Sequence, residues 1–131
     1  MTSFCVFNME GRILRYGLCP TSDMLLQAGA GEFVIEGQAN DMLEYVVDGV
    51  IHPRPVMPVQ FDNATVPADG MSAVTLTGIP TDAMVRVRGP ATDAFTVHDG
   101  TLEMTFDAPG SYRIGIEKFP YRDFEALINA T

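Results

Sequence analysis

The stretch TLEMTF (101–106), DAPG (107–110), SYRIGIEK (111–118) decides the fold. In its first part Leu102, Met104 and Phe106 share one face, and Thr101, Glu103 and Thr105 share the other. After the Ala108-Pro109-Gly110 turn, Tyr112, Ile114 and Ile116 oppose Arg113, Gly115 and Glu117. A period of two, apolar on one side and polar on the other, marks antiparallel strands buried on one face. The pattern recurs upstream in 83–88, where Val85 and Val87 alternate with Met84, Arg86 and Arg88. Further strand candidates are 59–65, 72–77, 93–98 and 121–128. Between the candidates stand Pro67-Ala68-Asp69-Gly70, Gly78-Ile79-Pro80, Gly89-Pro90, Asp99-Gly100 and Phe119-Pro120. Short strands with a turn signal about every ten residues predict an immunoglobulin-like antiparallel β-sandwich over 59–131. The Cys…Trp…Cys pin of antibody domains is missing, since the chain has no tryptophan and no cysteine after Cys19.

Toward the N-terminus the elements are shorter. Residues 3–8 and 12–18 read as the arms of a hairpin turning at Glu10-Gly11. Pro20 ends the second arm, and 21–28 reads as a short helix capped by Thr21 or Ser22, with Asp23 at its positive end. Gly29 and Gly31 stop it. Residues 32–36 and 43–47 are a third and a fourth strand, and Asp48-Gly49 turns the chain into a fifth at Val50-Ile51. Residues 1–52 are thus expected to form a small β-meander with one short helix, serving as a docking module. Pro53, Pro55 and Pro58 follow within six residues and predict an extended linker over 53–58. The fold class is mainly β.

The chain has 131 residues, enough for one ordinary domain or two very small ones. Acidic residues number 17 against 8 basic ones, a net charge of -9 that repels phosphate backbones and anionic membranes. Neither nucleic acid nor membrane is expected as a partner. No apolar run approaches the ~18 residues of a transmembrane helix. No basic segment followed by an apolar stretch opens the chain, so no signal peptide is expected.

Motifs that carry chemistry are weak throughout. Cys5 faces the 14–16 region of the predicted hairpin, and Cys19 lies roughly 10–13 Å further along at strand rise. A disulfide needs Cα atoms within about 7 Å, so two buried or half-buried thiols are expected. His52 precedes Pro53 and His98 precedes the Asp99-Gly100 turn, with no ligand spacing around either. Gly29-Ala30-Gly31 follows a helix instead of preceding one and reads as a helix stop, not a phosphate loop. Asp41, Glu44 and Asp48 lack the spacing of a calcium loop. Asp93, Asp99 and Asp107 each suit a turn. No catalytic residue, metal site or cofactor is expected. The residues expected to meet a partner are Pro53, Arg54, Pro55 and Met57 in the linker, Arg86 and Arg88 on one strand face, and Tyr121 in the C-terminal aromatic group. The arginine pair reads either as a solvated face or as a grip on a partner's carboxylate. Met57 and Met71 are expected to touch a neighbouring subunit unless the fold buries or fully exposes them.

Several segments carry a family resemblance. They are Phe4-Cys5-Val6-Phe7, the run from Gly11 to Pro20, Gly31-Glu32 with Ile35-Glu36-Gly37, and Tyr45-Val46 with Gly49, Ile51 and Pro53-Arg54-Pro55. Together they resemble small virion proteins of tailed bacteriophages. The back half, with Thr75-Leu76-Thr77-Gly78-Ile79-Pro80, Asp99-Gly100, Pro109-Gly110 with Tyr112, and Phe119-Pro120-Tyr121, is similar to the immunoglobulin-like domains such proteins carry. The resemblance implies a non-enzymatic, tail-associated structural protein, a tail or fibre component or adaptor, made in the bacterial host cytoplasm and built into the virion. It implies other virion proteins as partners and a homo-oligomer. Two alternatives stand beside it: a capsid decoration or cement protein, and a module that binds host-surface glycans through the sandwich loops.

Overall fold

The computed structural model describes residues 1–131, and strands hold 49% of them against 5% in helix, so the chain is mainly β. It divides into two compact units, Met1–Pro55 and Val56–Thr131. No helix is long and apolar enough to cross a membrane.

In the first unit β1 (Thr2–Phe7) is flanked by β2 (Ile13–Cys19) and β3 (Phe33–Glu36), giving the order β2-β1-β3. This corrects the expected meander, which would set β3 beside β2. The helix between them returns the chain across the sheet, so β3 pairs with the far side of β1. That helix is a 3-10 helix, Thr21–Gln27, with no side-chain cap. The capping expected of Thr21 or Ser22 does not occur. The Thr21 hydroxyl meets that of Thr2, and the Asp23 N–H donates to the Pro20 carbonyl. A second hairpin, β4 (Glu44–Val47) and β5 (Val50–Pro53), turns through Asp48 and Gly49, both at positive φ, as an Asp-Gly hairpin turn requires.

The alternation of β1 sends its side chains to two thin cores. Phe4 and Val6 meet Cys19, Met24 and Val34 on the helix side. Cys5 meets Ile13, Val46, Ile35 and Ile51 on the hairpin side. Gly11 ties the hairpin to the sheet: its carbonyl accepts the Val46 N–H, and a Cβ at Gly11 would strike the Val46 carbonyl. Both cysteines are free and buried. Burial, and secondly the charge of Glu44, push the Cys5 thiol pKa up.

The second unit holds eight strands: β6 (Gln60–Phe61), β7 (Thr65–Val66), β8 (Ala73–Thr77), β9 (Ala83–Arg88), β10 (Asp93–Val97), β11 (Leu102–Thr105), β12 (Gly110–Glu117) and β13 (Phe124–Ala130). They form a five-stranded sheet, β10-β9-β12-β13-β7, and a three-stranded sheet, β11-β8-β6. Val74, Leu76 and Met104 from one sheet meet Val85, Ile114, Ile116 and Ile128 from the other in a single core. This is a β-sandwich. Tyr112, only 2% exposed, donates its hydroxyl to the Ala108 carbonyl at 2.8 Å and packs on Phe106. Such a corner tyrosine recurs in immunoglobulin-like sandwiches.

Two strand assignments differ from expectation by more than two residues. The segment 59–65 is split, because the chain changes sheets at Asp62, whose backbone and carboxylate both bond Thr75. β7 then runs parallel to β13. The last strand begins at Phe124 instead of residue 121, because the Tyr121 N–H closes a turn on the Lys118 carbonyl.

Two outcomes follow. Tyr112→Phe leaves the half-buried Ala108 carbonyl without its donor and should cost about 1 kcal/mol. The check is a lower urea midpoint at unchanged slope. The second concerns pH. Arg15, at 2.5 Å, and the Gly29 N–H hold the Glu32 carboxyl below its ordinary pKa. A lowered carboxyl pKa adds stability above the unfolded value and loses it as pH falls through the folded value. Glu32→Gln should therefore lower the melting temperature at neutral pH, and the gap to the native chain should close on acidification.

Candidate functional site: an arginine face on the sandwich

Strand pairing builds this site from residues far apart in sequence. Ala83, Val85 and Val87 fill the core, so Met84, Arg86 and Arg88 stand on the solvent side of β9. Val85 pairs with Ile116 and Val87 with Ile114 on β12. The same register sets Arg88 opposite Arg113 and Arg86 opposite Gly115. On the next strand Glu125 lies opposite Gly115 and Leu127 opposite Arg113. On the other side Ala94 lies opposite Arg86. Arg86 is thus flanked by a glycine and an alanine. A depression of about 190 Å³ opens there, lined by Arg86, Arg88, Arg113 and Gly115, with Glu117, Asp123 and Glu125 at its acidic side.

The charges of this face are only partly matched. Arg113 donates through Nε to Glu125 at 2.9 Å. Arg86 and Arg88 take part in none of the chain's salt bridges. Like charges directly opposite on neighbouring strands are destabilising, and Arg88 against Arg113 is such a pair. Gly115 has ordinary backbone angles, and a Cβ there would meet nothing within 4 Å. Neither backbone nor packing requires a glycine in the middle of this strand, where glycine weakens pairing. Guanidinium groups stay protonated and present planar forks that match a carboxylate with two hydrogen bonds. These arginines cannot shuttle protons; what they offer is fixed positive charge and hydrogen-bond donors.

Of the seven expected interface residues, Arg86 and Arg88 come together here. The others do not. Pro53 ends β5 and Pro55 follows it, both exposed. Arg54 is 9% exposed and works inside the first unit, donating its N–H to Leu43 and its Nη1 to the Asp41 carbonyl. Met57 is 4% exposed and belongs to the sandwich core, whereas Met71 is 85% exposed. Neither fits the intersubunit contact expected of them. Tyr121 is half-buried against the sandwich core. Residues 53–58 are therefore not a free linker along their whole length: Arg54 is fixed in one unit and Met57 in the other.

The sequence reading set Arg113 and Gly115 on the polar face of their strand but not beside Arg86 and Arg88. The signal was the alternation; the missing fact was which strands pair. The reading also set no carboxylate near His98. Asp82 lies there, with Oδ1 at 2.5 Å from the ring Nδ1, although both side chains are more than half exposed. No three His, Cys, Asp or Glu side chains group as metal ligands would. No protein family, curated protein or solved structure matches the chain.

If the face is kept for a partner at the expense of the fold, removing its features should stabilise the free chain. Arg88→Thr should add about 0.2–1 kcal/mol by ending the like-charge pair. Gly115→Thr should add up to about 1 kcal/mol by strand propensity. Urea unfolding of the two variants checks both.

Proposed function

We propose that this chain is a non-enzymatic structural protein of a tailed-bacteriophage virion, a tail-associated component or adaptor that acts by protein–protein assembly. The observation that carries the reading is the arginine face. A rigid sheet holds Arg86 and Arg88 outside the chain's own ion pairs, on a molecule whose net charge is -9. Such a face suits a partner that brings carboxylates, and packed strands hold its backbone in place, so that only the side chains are ordered on binding. The β-sandwich suits the role, since a virion module must stay rigid while its faces assemble. The family resemblance of the segments named above points the same way. In this reading other virion proteins are the partners, no cofactor takes part, and the protein passes from the host cytoplasm into the particle.

Immunogold electron microscopy on purified particles, with antibody against the recombinant chain, tests the reading. Label at the tail is the expected result. Label spread over the capsid would replace it with the decoration role. Absence from particles by both label and mass spectrometry would overturn it. Arg86→Glu with Arg88→Glu should leave the circular dichroism spectrum unchanged and reduce incorporation at least tenfold, the scale of a lost charge-paired contact.

A further inference from the structure

β2 is an outer strand of the first unit's sheet, and its free side is open. The hydrogen bonds of β1 show which groups are free. The Ser3 carbonyl accepts from Gly37, toward β3. Backbone groups alternate in direction along an antiparallel strand, so Thr2, Phe4 and Val6 turn theirs to β2. Their partners there are Cys19, Gly17 and Arg15. The N–H and C=O of Tyr16 and Leu18 therefore point off the sheet. Their side chains share the face that Cys5 and Ser3 occupy, and remain 53% and 61% exposed. A shallow groove of about 480 Å³ runs beside them, bounded by Gln38, Ala39, Asn40 and Glu44.

Edge strands are usually blunted by charge, proline or shortness. The other free edges here follow that rule. β3 ends in Glu36, β10 begins at Asp93, β11 carries Glu103, β4 begins at Glu44 and β5 ends in Pro53. β6 and β7 have two residues each. β2 has seven residues and one charge, Arg15. That charge does not guard the edge, because Arg15 is drawn onto the helix-side face by Glu32 and the Gln27 carbonyl. Gly17, mid-strand, has ordinary backbone angles, and a Cβ there would touch the Phe4 ring only at an ordinary 3.6 Å. A strand glycine without a local reason often marks a place where another backbone comes close.

We infer that β2 pairs with β2 of a second copy, antiparallel, about a twofold axis at Gly17. Tyr16 then faces Leu18 of the second copy, and Leu18 its Tyr16. Each of these narrow pairs exchanges both of its main-chain hydrogen bonds, using the groups that point off the sheet. The four side chains join into one apolar patch on one face. Other registers fit worse. A centre at Arg15 opposes two like charges. A centre at Tyr16 sets Leu18 against Leu14, where a bulge interrupts the β1–β2 ladder. A slip by one residue sends the apolar side chains of one copy to the helix face of the other. The contact is self-complementary and closed, as a twofold interface must be. It deepens the assembly reading and rests on it for its biological use. Its test reads the isolated chain, so its failure is separable from a failure of particle labelling.

Light scattering after size exclusion should give the native chain twice its 14.3 kDa mass. Tyr16→Pro removes one outward donor and leaves the Arg15, Gly17 and Cys19 bonds to β1 in place. It should give the single-chain mass with an unchanged circular dichroism spectrum. Tyr16→Lys with Leu18→Lys should also be monomeric, through facing like charges. Tyr16→Glu with Leu18→Lys should restore the doubled mass, since each Glu would face a Lys only in the Gly17-centred register. A native chain that stays at 14.3 kDa across the accessible concentration range overturns the inference. So does a Tyr16→Pro chain that keeps the doubled mass.

Discussion

The register between β9 and β12 governs both sides of the sandwich. Val85 against Ile116 and Val87 against Ile114 put the most deeply buried side chains of two central strands against the opposite sheet. A slip by one residue would bring Arg86 and Arg88 into the core, an outcome excluded by the several kcal/mol that an unpaired buried charge costs. The hydrophobic register is thus also what fixes the arginine face. The like-charge meeting of Arg88 and Arg113 is its consequence, and the core is strong enough to impose it. Tyr112 pins the start of β12 through Ala108, so the strand has no freedom to relieve the contact by sliding.

The first unit works under a different constraint. Its sheet has three strands, and each face is covered by a small element, the 3-10 helix on one and the β4–β5 hairpin on the other. Such covers bury the middle strand and leave the outer ones partly bare. β1 is therefore buried at Cys5 and Val6, whereas Leu14, Tyr16 and Leu18 of β2 stay exposed. A unit of this size buries a smaller fraction of its surface than a larger domain does, and apolar side chains left at an edge are the result.

Legibility in the sequence followed the range of the interactions. Residues 83–88 read as a strand match β9 residue for residue, because alternation is local and the flanking Asp82 and Gly89 are local too. The Asp48-Gly49 turn was equally plain. What depends on distant partners was not. The sheet change at Asp62 rests on Thr75, and the burial of Met57 rests on the chain beside it. There the Pro58 carbonyl lies so close to Gly78 that a Cβ would collide with it. A proline-rich string reads as extended, but it says nothing of which of its side chains a neighbouring strand will cover. At the site, Arg86-x-Arg88 was visible as a pair; its partners Arg113 and Gly115 needed the β9–β12 pairing to join it.

Glycine usage separates what the fold needs from what it does not. Of the 12 glycines, eight have positive φ, a region that other residues avoid. Gly89 is held by the Ser111 carbonyl, which a Cβ would approach to 2.7 Å. Gly29 lies outside any strand and gives its N–H to Glu32. Gly17 and Gly115 remain, and both interrupt a strand where a larger side chain would fit. A strand gains from β-branched or aromatic residues at such positions, so each glycine is a local loss for the free chain. One sits beside unpaired outward main-chain groups, the other beside two arginines outside any ion pair. In each case the bare backbone coincides with an interaction left open, and a second molecule that closes it would supply what the strand lacks.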